Sequence, residues 1–158
     1  MDCLEMVSLY VGANEAFSTL SAAVAASAPN DTIYLRPGRY TNDPVVIDHS
    51  LSIIGLGAGA ILEWTGGNIP NRKGLIVARE SVDALTIDNL IVRGASVADN
   101  NGAGVRFQGG DLTVRNSAFK GNENGILATA RPSTIITIEN TDFINNGTSD
   151  GKAHGIYT

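Results

Sequence analysis

Three stretches of this chain align residue for residue: Leu85-Thr86-Ile87-Asp88-Asn89, Leu112-Thr113-Val114-Arg115-Asn116 and Ile136-Thr137-Ile138-Glu139-Asn140, spaced 27 and 24 residues apart. A second set recurs beside them: Gly74-Leu75-Ile76-Val77, Gly104-Val105-Arg106-Phe107, Gly125-Ile126-Leu127-Ala128 and Gly155-Ile156-Tyr157-Thr158, with spacings of 30, 21 and 30. A third follows each Asn, at Val92, Phe119 and Phe143. Three strand sets per lap of about 27 residues describe a coil with three sides, a repeat length typical of stacked architectures. One such unit cannot bury its own inner face, so successive coils must stack and pair like strands in parallel, roughly 4.8 Å apart.

That stacking gives each position a meaning. Leu85, Leu112 and Ile136 form one inward column, and Ile87, Val114 and Ile138 the next. Thr86, Thr113 and Thr137 form an outward ladder, while Asp88, Arg115 and Glu139 stack as acid, base, acid. Asn89, Asn116 and Asn140 share one corner, where Asn tolerates the left-handed backbone of a tight bend and its amide can bond the next coil. No helical window separates the strands, which excludes βαβ units. One convincing helix precedes them: Asn14 caps a segment predicted over 15–27, with Phe17, Leu20 and Val24 at helical spacing and Pro29 ending it. The expectation is all-β: one domain over 1–158, a capping helix at 15–27 and about five coils over 32–158.

Composition narrows the function. The net charge of −5 argues against electrostatic binding of nucleic acid or of an anionic membrane surface. One cysteine, Cys3, allows neither an intrachain disulfide nor a cysteine zinc site. No apolar run approaches membrane-spanning length. Asp2 and Glu5 stand where a signal peptide carries positive charge, so none is read here.

The opening Phe17-Ser18-Thr19-Leu20-Ser21-Ala22-Ala23-Val24, then Pro29-Asn30-Asp31-Thr32-Ile33-Tyr34-Leu35-Arg36-Pro37-Gly38-Arg39-Tyr40 and Leu51-Ser52-Ile53-Ile54-Gly55-Leu56-Gly57, resembles the start of right-handed parallel β-helices of the pectin-lyase-like superfamily. The resemblance implies a helix capping the N-terminal end and a carbohydrate-associated protein outside the cytoplasm, extracellular or periplasmic. It does not choose among lyase, hydrolase, epimerase and inert scaffold. His154-Gly155-Ile156-Tyr157-Thr158 reads as the first strand of a further coil, so the chain is expected to be the N-terminal part of such a domain, or to self-associate through that end into a homo-oligomer.

In relatives acting on polysaccharides the groove lies along the sheet of the second set. Its inward residues here are expected to be Leu75, Val77, Val105, Phe107, Ile126, Ala128 and Ile156. The outward ones are then Ile76, Ala78, Arg106, Gln108, Leu127, Thr129 and Tyr157, with His154 just before the last strand. Arg106, Gln108, His154 and Tyr157 are the candidate substrate-binding residues. Arg bonds a carboxylate in pairs, Tyr stacks on a sugar ring and His carries a proton. Asp142, Asp150, Lys152 and His154 crowd one region and could form an acid/base or cation site, or a solvated loop.

Other motifs are incomplete. Asn140-Thr141-Asp142 and Ala153-His154-Gly155 match polygalacturonase-type motifs by letters, but the paired aspartates between them and the following Arg-Ile-Lys are missing. Val46-Ile47-Asp48-His49 resembles a short pectate lyase motif but falls at a turn. There is no Ser/His/Asp pattern, no phosphate loop and no zinc pattern. Calcium has no motif behind it, no cofactor is expected, and whether the chain is an enzyme stays open. The function expected is a polysaccharide-binding or polysaccharide-modifying module, inactive as the isolated chain; the alternative is a structural, self-associating scaffold.

Overall fold

The computed structural model describes residues 5–129, 131–151 and 153–158, so Cys3 and Lys152 lie outside the described residues. Its elements, in chain order, are β1 (Ser8–Val11), α1 (Leu20–Ala26), β2 (Asp31–Leu35), β3 (Gly38–Thr41), β4 (Val45–Ile47), β5 (Leu51–Gly55), β6 (Ala60–Glu63), β7 (Gly74–Ala78) and β8 (Ala84–Asp88). There follow β9 (Leu90–Arg93), β10 (Ala103–Phe107), β11 (Asp111–Arg115), β12 (Ala118–Lys120), β13 (Asn124–Ala128), β14 (Ile136–Glu139), β15 (Asp142–Ile144) and β16 (Ile156–Tyr157). They form three sheets: A, β1-β2-β5-β8-β11-β14; B, β3-β6-β9-β12-β15; and C, β4-β7-β10-β13-β16. The pairings within each sheet are parallel. Five coils of three strands, β2–β4 to β14–β16, therefore stack above β1 and α1.

The inward columns pack as the repeat requires. Leu51, Leu85, Leu112 and Ile136 share a register line, and so do Ile53, Ile87, Val114 and Ile138. Val92, Phe119 and Phe143 stack on sheet B; the two Phe rings lie 5.2 Å apart and 8° from parallel. Offset aromatic stacking adds to the burial of Phe119, which is fully enclosed. These rings, together with a backbone carbonyl of the next coil (Gly125 beside Gly104, Gly155 beside Gly125), leave no room for a side chain at two glycines of the second set. A Cβ on Gly104 would meet Phe119 Cδ1 at 2.9 Å, and one on Gly125 would meet Phe143 Cδ1 at 2.8 Å.

The Asn corner forms as expected. Asn89, Asn116 and Asn140 adopt φ of 58°, 50° and 44°, and the backbone N–H groups of Asn89 and Asn116 donate to the next coil, at Arg115 and Glu139. Asn140 Nδ2 donates to Asn116 Oδ1 at 2.8 Å, but Asn116 Nδ2 turns to Asp88 Oδ1 at 3.0 Å and Asn89 Nδ2 to the Gly55 carbonyl. The acid–base ladder is made at one step: Arg115 Nε sits 3.1 Å from Asp88 Oδ2, a surface pair worth about 0–1 kcal/mol. A second ladder on sheet B joins Glu63 to both Arg93, at 2.8 Å, and Arg39, at 3.4 Å.

A further Asn ladder lies inside, between sheets B and C. Asn122 is 1% exposed. Its Oδ1 accepts from the Ala95 N–H at 3.0 Å, while its Nδ2 donates to the Val92 carbonyl at 3.0 Å and to Asn146 Oδ1 at 3.1 Å. Asn146 Nδ2 donates in turn to the Phe119 carbonyl. Buried amides satisfied across three coils fix where each lap leaves sheet B.

Three expectations need correction. The helix spans Leu20–Ala26, not 15–27. Thr19, not Asn14, caps it, its hydroxyl accepting from the Ala22 N–H, because the chain before it closes on itself through Gly12 N–H to the Phe17 carbonyl. Strand β1 precedes the helix and extends sheet A, so α1 is not the first element. On β7, Ile76 and Ala78 stand in register with Val105 and Phe107 and are fully buried in the core, so they face inward. Val77, expected inside, stands in register with Arg106 on the outer face.

The corner between sheets A and B is short throughout: Asn89 alone links β8 to β9, and two residues link β11 to β12 and β14 to β15. The long connections, residues 64–73, 94–102 and 145–155, all run from sheet B into sheet C.

Candidate functional site

Parallel, in-register pairing places one side chain per rung in each outward column. On sheet C the central outward column is Val46, Val77, Arg106, Leu127 and Tyr157. Arg106 is half-buried between Val77 and Leu127, and its Nε is enclosed with no hydrogen-bond partner among the described residues. A buried guanidinium donor without an acceptor costs free energy unless something supplies one.

Arg106 opens into a cleft of about 490 Å³ that is also lined by Asn101, Asn124, Thr129, His154 and Tyr157. The rings of His154 and Tyr157 stack 5.5 Å apart and 9° from parallel, giving the cleft an aromatic wall. His154 is seated by its backbone, whose N–H donates to Asn124 Oδ1 at 3.0 Å; Asn124 Nδ2 donates to Asn101 Oδ1 at 3.2 Å. Asn124 is buried. Among the described residues no carboxylate lines this cleft. Glu123, nearby in sequence, is occupied: it accepts from Ser96 Oγ and from the Val97 and Gly102 N–H groups. It thereby pins the segment that carries Asn101 to the rim. A cation, an aromatic face and convergent amides suit the capture of an acidic ring, with Arg106 on the carboxylate and the stacked pair against the ring.

Three of the four predicted site residues, Arg106, His154 and Tyr157, therefore line one cleft. Gln108 does not; it faces a neighbouring depression with Lys73 and Arg79. Asn101 and Asn124 were missed because nothing in the chain's periodicity marks them: they meet His154 only through contacts across coils. The crowd around 142–154 disperses. Asp142 sits beside the Asn corner in another depression, Asp150 lies against Thr148, and His154 faces sheet C. Among the described residues no three His, Cys, Asp or Glu side chains converge on a point where a cation could bind. Asn140 and Asp142 line the corner depression and not the cleft, which separates the two halves of the polygalacturonase-like match.

Asp48 and His49 hold a different arrangement. His49 Nδ1 lies 2.7 Å from Asp48 Oδ1, and Nε2 lies 2.9 Å from Ser27 Oγ. This is a Ser/His/Asp chain with no counterpart in the sequence patterns. Ser27 Oγ also lies 2.7 Å from the Val24 carbonyl, so its one proton is shared with the helix end, and the Asp48 side chain is 70% exposed. The contact ties the C-terminus of α1 to the first coil. Near the other end of α1, the Tyr40 hydroxyl lies against the Val11 and Arg36 carbonyls; burial, then the Glu15 charge, raises its pKa above the ordinary phenol value.

Comparison with known proteins places this geometry in a fold. No family model matches the chain, and no curated protein does. Among solved structures it is similar to the pectin methylesterase of Aspergillus niger, with 16% sequence identity and a TM-score of 0.54, over 94% of this chain and 64% of that one. This chain thus spans less than two thirds of that protein's length. The expected architecture holds: the chain folds as a right-handed, three-sided parallel β-helix, like that structure.

Proposed function

We infer that this chain is a carbohydrate-associated β-helix module that holds an acidic polysaccharide against the outer face of sheet C, outside the cytoplasm. The observation that carries this reading is the half-buried Arg106, with no ion pair among the described residues, in a cleft walled by the stacked His154 and Tyr157 rings. A uronate offers a carboxylate to the Arg106 guanidinium and a ring face to the aromatic wall. The fold shared with a pectin methylesterase favours a saccharide over other acidic ligands. The reading stops at binding, because no carboxylate lines the cleft to act as base or nucleophile among the described residues. Titration calorimetry with oligogalacturonate and with a neutral oligosaccharide tests it. Arg106→Ala and Tyr157→Ala should each abolish binding of the acidic ligand, and equal affinity for the neutral one overturns the reading.

A second reading, a scaffold assembling end to end, draws on the last coil. There the inward-facing Ile156 is 41% exposed, and Ile136, Ile138 and Phe143 are only partly covered. Sedimentation velocity over a wide concentration range separates the two: a concentration-dependent oligomer with no glycan binding favours the scaffold.

A further inference from the structure

The chain holds three Asn-Gly pairs: Asn101-Gly102, Asn124-Gly125 and Asn146-Gly147. A glycine after an asparagine leaves its backbone nitrogen open to the asparagine's own side-chain carbonyl, because no Cβ stands in the way. The fold treats the three pairs differently. Asn124 is buried on β13, and the Gly125 N–H donates to the His154 carbonyl of the next coil at 3.0 Å. Asn146 belongs to the inner ladder: its Oδ1 accepts from the Asn122 N–H and Nδ2, its Nδ2 donates to the Phe119 carbonyl, and the Gly147 N–H donates to the Asn122 carbonyl at 2.9 Å. Asn101 is exposed, at the end of the 94–102 connection. There the Gly102 N–H donates to the Glu123 carboxylate, at 2.5 Å from Oε2, and Asn101 Oδ1 accepts from Asn124 Nδ2 at 3.2 Å. Of the three pairs, this one sets a base at the backbone nitrogen and a donor at the side-chain carbonyl.

We propose that Asn101 is a self-modifying site, at which the fold promotes conversion of the asparagine to aspartate or isoaspartate on the rim of the Arg106 cleft. Glu123 Oε2 takes the Gly102 N–H proton as the nitrogen bonds Asn101 Cγ, and Asn124 Nδ2 stabilises the charge that builds on Oδ1. The Cγ–Nδ2 bond then breaks, Glu123 returns the proton, and ammonia leaves a cyclic imide. Water reaches this imide from the exposed side. Its hydroxyl joins the side-chain carbonyl carbon, giving aspartate, or the main-chain one, giving isoaspartate, and the Gly102 nitrogen regains a proton. No side chain fits at Gly102: a Cβ there would meet Glu123 Oε2 at 2.7 Å and Ser96 Cα at 2.9 Å. Both products carry a carboxylate, a group that the cleft lacks among the described residues. Asn101 and Arg106 line the same cleft, so the new charge competes with an acidic ligand for the guanidinium. Affinity then falls as the molecule ages. That consequence rests on the reading of the cleft as a uronate site; the conversion itself does not.

The test is incubation of the folded chain at neutral pH, with peptide mapping by mass spectrometry and isoaspartyl methyltransferase labelling to read conversion at each pair. Asn101 should convert at least about tenfold faster than Asn124 or Asn146, and faster than in the same chain held unfolded in urea. Glu123→Gln keeps an oxygen for the Val97 and Gly102 N–H groups but removes the base, and should slow conversion at Asn101 about tenfold or more. Asn101→Asp, made directly, should weaken oligogalacturonate about three- to tenfold, whereas Asn101→Gln should hold its affinity through the incubation. No conversion at Asn101, equal rates at the three pairs, slower conversion folded than unfolded, or a rate unmoved by Glu123→Gln overturns the proposal. Asn101→Asp binding as tightly as wild type overturns the link to Arg106. The mass readout involves no ligand, so a fresh wild type that converts at Asn101 yet binds no oligogalacturonate overturns the uronate reading and leaves the modification standing.

Discussion

Replacing Asn122 with Ala tests whether buried amides between sheets B and C hold the coils in register. Its side chain serves three partners at 3.0–3.1 Å. Two of these, the Ala95 N–H and the Val92 carbonyl, are backbone groups with no water to turn to once the amide is gone. Each orphaned buried group costs about 1–3 kcal/mol, so Asn122→Ala should lose about 2–6 kcal/mol, more than a typical single substitution. Asn146→Ala should cost less, because Asn146 is itself only half-buried. Urea unfolding followed by circular dichroism measures both. Because Ala95 begins the connection that brings Asn101 to the cleft, oligogalacturonate affinity should fall with Asn122→Ala even where the variant remains folded. A loss below about 1 kcal/mol, the scale of an ordinary exposed hydrogen bond, would refute the claim that this ladder fixes the turn.

Three further outcomes are expected. At Asn116, with φ of 50°, Ala should be less stable than Gly by about 1 kcal/mol, since both lose the amide contacts but only Ala strains the left-handed backbone; equal urea midpoints would remove the corner argument. The raised pKa of Tyr40 means folding favours the neutral phenol, a contribution present below pH of about 10 and lost as pH climbs through the higher folded value. The stability advantage of wild type over Tyr40→Phe should therefore shrink above pH of about 10, and a constant gap in melting temperature would contradict this. His49→Ala should cost about 0.5–1.5 kcal/mol by freeing the end of α1, and a fluorophosphonate probe should leave Ser27 unmodified; labelling there would show a nucleophile and not a clamp.

The fold was legible because its columns repeat in the chain: Leu85, Leu112 and Ile136 announce the sheet that they build. Legibility failed where both faces of a strand are apolar. β7 is Gly-Leu-Ile-Val-Ala and buried throughout, so alternation carries no parity there, and a spacing read as 30 is 29 in register. β1 has no homologous segment before it to align with, and β3, between two turns, lacks the apolar burst that marked the others. The site was half legible. Arg106, His154 and Tyr157 could be placed from the strand they adjoin, whereas Asn101 and Asn124 sit in a connection or at a strand's beginning, where position along the chain predicts little about neighbours in space.

The unequal connections have a consequence for how such a molecule can change. One or two residues suffice to turn from sheet A to sheet B beyond β8, and a longer insert there would break the Asn corner. Between sheets B and C the lap absorbs inserts without shifting a single rung. Growth in this chain is thus channelled to the banks of one furrow, where it can reshape what the furrow grips while the bed beneath stays as it was.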